Sequence, residues 1–176
     1  VWARIRLAAI AGNAGVLSAA NSYLPASEII DMKALDKARR SPSAYLAKKS
    51  LSFKTRAARE IVIISVLQIA RKDHGQAAVH WSAMSPRFPD NDQKDVWGQI
   101  GFHAAWAQDP AALTWFNKAG DGPLNDTQLS WKVRAALRAR AAAPERAVHP
   151  ADRQRRHQLG HQRRSPGVVQ QPCQRA

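Results

Sequence analysis

The chain has 176 residues, 45% of them apolar, and its 27 Lys and Arg against 13 Asp and Glu give a formal charge of +14. That length allows one domain, or one domain plus a tail, and the apolar share excludes wholesale disorder. A single cysteine, Cys173, excludes an internal disulfide framework and a multi-cysteine zinc site, and no apolar run approaches the roughly 18 residues of a membrane span. The start at Val1, with neither an initiator Met nor a charged-then-apolar leader, is the one expected of a fragment.

Residues 1–140 read as helix after helix, with no convincing period-two strand. Trp2, Ile5, Ala9 and Ile10 form a helical apolar stripe that displays Arg4 elsewhere, and Gly12-Asn13 supply a stop. A second helix is expected from Val16 to Leu24, before Pro25. Asp31 is placed to cap a helix running to about Arg40, and Ser41-Pro42 read as an N-cap with proline at the first helical position. The strongest helix is expected from near Thr55 to about Lys72. Its Ile61, Ile63, Ile64, Val66, Leu67 and Ile69 are apolar around most of the circumference, the pattern of a helix buried on several sides. Asp73-His74-Gly75 read as a break before a helix from Gln76 to Met84, followed by a connector at Pro86 and Pro89. Asp90 is expected to cap a helix lasting to about Gln108, and Asp109-Pro110 to open the next, ending near Ala119. Gly120-Asp121-Gly122-Pro123 is a loop, and Asn125 or Asp126 caps a last helix from Thr127 to roughly Arg138.

The final segment is a different polymer. Residues 141–176 hold no aromatic residue, four of the ten prolines, six Gln, seven Arg, no Lys and two acids, Glu145 and Asp152. Such a segment cannot bury enough apolar area to offset its ordering entropy, so 141–176 is expected to be a disordered tail. Three origins compete: an Arg-rich nucleic-acid arm, a solvated natural tail, and coding DNA read in a shifted frame. The abrupt change near Ala139, inside an apparent helix, favours the third. The helix before it carries Leu129, Val133, Ala136 and Leu137 on one face, built to be covered by a following helix, yet nothing beyond Pro144 has an apolar face to cover it. Restoring the frame near this point is expected to restore a Trp-containing helix.

A repeat underlies the helices. Trp81 and Trp115 lie 34 positions apart, as do Trp97 and Trp131. Asp73 precedes Ala77-Ala78 and Trp81, as Asp109 precedes Ala111-Ala112 and Trp115. Each unit is a longer helix, a turn at Asp, and a shorter Ala-rich helix ending in Trp. A helix–turn–helix period of this length marks tetratricopeptide-like solenoids, in which one hairpin cannot bury its apolar face and neighbours stack. The six Trp are expected to pack between layers rather than to form an aromatic platform for sugars. The expected fold is therefore all-α, a right-handed stack of helical hairpins over residues 1–138.

Four elements now point to a family. They are Arg59-Glu60 heading a helix that ends Ile69-Ala70-Arg71-Lys72-Asp73; Asp95-Val96-Trp97 with Ile100; Asp109-Pro110-Ala111-Ala112-Leu113-Thr114-Trp115-Phe116; and Trp131-Lys132-Val133-Arg134-Ala135-Ala136-Leu137-Arg138. In this order they resemble the α-helical superhelical segment of soluble lytic murein transglycosylases. Trp2 to Leu7, Gly12-Asn13 and Leu24-Pro25 resemble its earlier part, so the resemblance covers about residues 1–138. It implies a bacterial periplasmic protein acting on peptidoglycan between N-acetylmuramic acid and N-acetylglucosamine. The reaction of that family is an intramolecular transfer that leaves a 1,6-anhydromuramic end. The helical segment itself carries no catalytic group in that family. It supports a lysozyme-like domain, and its often basic surface suits an anionic wall polymer.

The chain departs from the family after Ala139, where neither the next helix nor the catalytic domain follows. The family's catalytic acid is a Glu followed by Ser. Glu28, Glu60 and Glu145 are followed by Ile, Ile and Arg, and Glu60, at the head of a core-facing helix, is expected to pair with nearby Arg. No catalytic residue, cofactor or metal site is expected. His74, His80 and His103 are scattered, and His157 and His161, downstream of His149, have zincin-like spacing without the Glu that activates water. Asp90, Asp92 and Asp95 read as capping and first-turn charges, not as a calcium loop. The leading function is the non-catalytic superhelical part of a lytic-transglycosylase-like enzyme, with glycan strands and the missing catalytic domain as partners. A tetratricopeptide-like scaffold for proteins is the alternative, and nucleic-acid binding driven by the +14 charge a third.

Overall fold

The computed structural model describes residues 1–48 and 50–142, and every regular element in them is helical. Ala141 and Ala142, expected to begin the tail, instead extend the last helix past Arg138, and the rest of the tail expectation, with Glu145, His149, His157, His161 and Cys173, lies outside the described residues. Nine α-helices are described: α1 (Trp2–Ala11), α2 (Ala14–Ser22), α3 (Met32–Arg40), α4 (Pro42–Leu46), α5 (Arg56–Ala70), α6 (His74–Met84), α7 (Asp90–Trp106), α8 (Ala112–Ala119) and α9 (Asp126–Ala142). Short 3-10 turns at Ala26–Glu28 and Ser85–Arg87 punctuate them.

Local chemistry sets most boundaries. Gly12 closes α1 in the left-handed region at φ 77°, and Asn13 opens α2 at once by accepting from Val16 N, so the stop is also a start. Asp31 accepts from Lys33 N and Ala34 N, and Thr55 from Ala58 N, as their positions before apolar runs require. Several starts differ from the sequence reading: α2 begins at Ala14 rather than Val16, α9 at Asp126 rather than Thr127, and three more shift through their caps. Asp73 accepts from Gln76 N, so Asp73-His74-Gly75 is a cap and first turn, and α6 begins at His74 rather than Gln76. Pro89 occupies the N-cap of α7, and Asp90 sits one place later, paired with Lys94 at 2.8 Å. Asp109 accepts from Ala111 N at 2.7 Å, which delays α8 to Ala112. At α9, Asn125 accepts from Gln128 N while the Gln128 side chain accepts from Asn125 N, both at 2.9 Å, a reciprocal capping box.

Helix α5 is the hub. Eleven of its residues are buried, from Ala57 to Ala70. Ile61 and Ile64 face a core built with Ile5, Leu17, Ile30 and Leu35 from the first three helices and the turn before α3. Val62, Ile63, Val66 and Leu67 face a second core with Trp81, Phe88, Trp97 and Ile100. Each fully buried Ile or Leu contributes about 1.5–3 kcal/mol, which is why a helix apolar all round must be central. Trp81 is fully buried and lies 4.7 Å from the Phe88 ring.

The sequence repeat becomes two consecutive hairpins, α5–α6 and α7–α8. Ala77 and Ala112 are fully buried at equivalent turns, where small side chains let the helices approach. Trp97 is buried, Trp2, Trp115 and Trp131 are half-buried, and Trp106 is the exception to packing at 64% exposed. On α9 it is Gln128 and Ala135 that are buried, while Leu129, Val133 and Leu137 stand exposed.

Helices α7 and α8 approach closely at Gly101. A Cβ on Gly101 would lie 2.9 Å from Phe116 Cγ and 3.0 Å from Phe116 N, so backbone itself blocks it. One on Gly98 would lie 2.5 Å from Leu124 Cδ2, the movable end of a side chain. Gly101→Ala is therefore expected to destabilise by about 1–3 kcal/mol despite its better helix propensity. Gly98→Ala is expected to fall closer to neutral. Urea unfolding midpoints of the two variants check this; a more stable Gly101→Ala protein contradicts the packing.

Candidate functional site

The α3–α4 junction gathers cations. Leu35 and Ala38 anchor α3 in the core, so Lys33, Lys37 and Arg40, at i, i+4 and i+7, share the exposed side. Lys37, Arg39 and Arg40 in the last turn also complement the negative end of the helix. Ser41 then leaves the helical region, and Pro42 restarts a five-residue helix at its first position. Ser41 occupies the expected N-cap position but makes no side-chain cap bond, and it lines a cleft.

Three adjoining clefts surround α4. The central one is lined by Lys37, Arg40, Ser41, Ala44, Tyr45 and Lys48. Arg40 is shared with a second, which adds Arg39, Ser43, Gln68, Lys72 and Gln76. Tyr45 and Lys48 are shared with a third, which adds Asp31, Ser50, Ser52 and Thr55. Arg40 pairs with Asp36 at 2.8 Å on the surface, while Lys37 and Lys48 form no ion pair with a described residue. Lys48 Nζ sits 4.5 Å from the Tyr45 ring centroid. Burial, and then the Asp31 carboxylate, push the Tyr45 phenol up from its ordinary pKa, so it remains a neutral hydrogen-bonding group. The arrangement places cations, hydroxyls and amides side by side around α4.

Two ionisable clusters lie elsewhere. Arg6 of α1 grips Glu60 of α5 with Nε–Oε1 at 2.5 Å and Nη2–Oε2 at 2.9 Å, and also hydrogen-bonds Asp95 of α7. Asp92 lies 3.4 Å from Arg56 and 3.7 Å from Arg6. Burial opposes the Arg6 charge, but the hydrogen bond and charge of Glu60, with Asp95 and Asp92, raise its pKa. Asp95 is pushed up, first by burial and against the pull of Arg6, with Asp92 and Glu60 adding to the rise. Both Glu60 oxygens are engaged by Arg6, so this cluster ties helices together rather than offering an acid to a substrate. In the second cluster, His74 Nε2 meets Asp109 Oδ2 at 2.7 Å, and the ring stands edge-on to Trp115 with centroids 5.5 Å apart. It joins the turns of the two hairpins.

The sequence reading anticipated the Glu60–Arg pairing but missed its partners. Asp92 and Asp95 are not merely first-turn charges; they close on Arg6 and Arg56, and only the distance of Arg6 from them in sequence hid it. Glu28 is half-exposed in the turn after Pro25, and His80 is partly exposed on α6, apart from the His74–Asp109 pair. The basic spacing on α3 was visible as a helix face, but its meeting with Lys48 and Tyr45 requires the α4 turn. No protein-family model matches the chain, and no curated protein matches it.

His103 is lowered to about pKa 4, first by burial and then by electrostatic repulsion from Arg71 and His74. Its folded pKa thus lies below the unfolded value of about 6.5, so between these values the unfolded chain takes up a proton that the folded chain refuses. Stability is expected to fall as pH drops through that window. Comparing urea midpoints near about pH 7 and about pH 4.5, the native chain should lose more stability than His103→Gln. Equal losses would contradict the assignment.

Proposed function

We propose that this chain is the non-catalytic superhelical part of a lytic-transglycosylase-like enzyme of peptidoglycan cleavage, working in the periplasm. The observation that carries the reading is the order of the repeat. The four family-like elements fall in order on α5, α7, the turn into α8, and α9, the first three within two consecutive hairpins with Asp at each turn and small residues at each close approach. The surface supports it as well, because the exposed clefts around α4 are cationic and rich in hydroxyls, a match for an anionic, sugar-based polymer.

In this role the chain positions substrate and leaves the chemistry to a catalytic domain. Cleavage with formation of a 1,6-anhydro end needs an acid to protonate the glycosidic oxygen as the bond breaks. Glu60 is fully buried and held by Arg6, which suits a structural carboxylate. The surface around α4 would hold strands by charge and hydrogen bonds, so its grip weakens with salt.

Incubation with purified sacculi tests this. Saturable binding is expected, above that of a control protein of equal charge, with no release of anhydromuropeptides. Release of those products would overturn the non-catalytic assignment. Absence of binding, with a specific protein bound instead, would favour the tetratricopeptide-like scaffold.

A further inference from the structure

We infer that the central cleft at the α3–α4 junction binds the free carboxylates of peptidoglycan stem peptides rather than the sugars; this rests on the cell-wall reading above. The argument begins with where a wall strand carries charge. Its N-acetylated sugars are neutral, and the lactyl carboxyl of each muramic residue is consumed in the amide to its stem. The negative charge therefore resides on carboxylates of the stem peptides. Three cations face one cleft here, and only Arg40 is partly neutralised, by Asp36. Lys37, Lys48 and the Arg40 fork can each donate to a carboxylate, with the Ser41 hydroxyl free beside them.

Sugar faces, by contrast, are recognised by exposed aromatic rings. The aromatic residue lining this cleft, Tyr45, is half-buried with Lys48 Nζ 4.5 Å from its ring centroid, and the most exposed aromatic side chains, Tyr23 at 79% and Trp106 at 64%, lie elsewhere. A nucleic-acid backbone fits less well for a different reason. It carries a charge at every residue, whereas the flanking clefts place Asp31 on one side and Asp73 on the other, among serines and glutamines. Carboxylates set apart by neutral sugars avoid those two acids.

The test uses the full chain with two probes: intact sacculi, and sacculi whose carboxylates have been coupled to ammonia with a carbodiimide. Lys37→Gln/Arg40→Gln/Lys48→Gln removes the cleft charge at exposed positions, and Lys118→Gln/Arg134→Gln/Arg140→Gln removes as much charge from α8 and α9; dichroism verifies that both variants fold. Amidating the sacculi, or substituting the cleft, should each weaken binding roughly tenfold or more, while the control variant should bind nearly as the native chain does. If the native chain binds intact sacculi and the cleft variant binds as tightly, the inference fails and the cell-wall reading stands. Unchanged binding to amidated sacculi, or an equal loss in the control variant, also overturns it. Duplex DNA bound as tightly as sacculi through the same three residues would make the cleft a nucleic-acid interface instead. Absence of any sacculus binding by the native chain would remove the underlying reading itself.

Discussion

One buried guanidinium organises this molecule. Arg6 reaches from α1 into a space between α5 and α7, where it meets Glu60 through two hydrogen bonds and Asp95 through a third. Three carboxylates and the two guanidinium groups of Arg6 and Arg56 share this space, and Asp92 Oδ2 and Arg56 Nε have no hydrogen-bond partner there. A cluster of this kind gains little over well-packed apolar groups, but removing one partner strands buried charge at a cost of about 3–5 kcal/mol. Its consequence is geometric. On α1, Arg6 is largely buried while its neighbour Leu7 is 69% exposed, the reverse of what hydrophobicity alone selects. The clamp fixes the rotation of α1 and brings α7 to the same end of α5.

The same arrangement shapes the surface. Acids are drawn inward or into caps: Glu60, Asp92 and Asp95 into the cluster, Asp31 and Asp73 onto helix N-termini, Asp109 onto the Ala111 amide and His74. Cations such as Lys37, Lys48 and Lys72 remain at the surface. The positive charge of the chain is thus displayed while much of its negative charge is committed to holding the fold. A cationic face around α4 follows from this division without any dedicated motif.

Much of the fold was legible in the sequence because its signals are local. Asp31 and Asn125 cap helices where the sequence placed them, Asn13, read as a stop, also caps α2, and the all-round apolar pattern of α5 matched its central burial. The errors were local too. Proline at 89 and an aspartate turn at 109 each shift a helix start by one to three residues, because capping groups and first-turn residues are drawn from the same types. What could not be read was long-range. Nothing near Arg6 in sequence announces Asp95, and the α3 cations gain a cleft only when the Ser41-Pro42 turn folds Tyr45 and Lys48 beside them.

If α5 and its ion cluster hold the structure, amide exchange should reveal it. Hydrogen–deuterium exchange is expected to be slowest between Ile61 and Ile69, which face two cores at once. In an Arg6→Ala chain, protection should collapse first in α1, whose rotation the clamp sets, while α8 keeps most of its own. Unchanged protection of α1 in that variant, or an α5 that exchanges as fast as α1 in the native chain, would contradict the account.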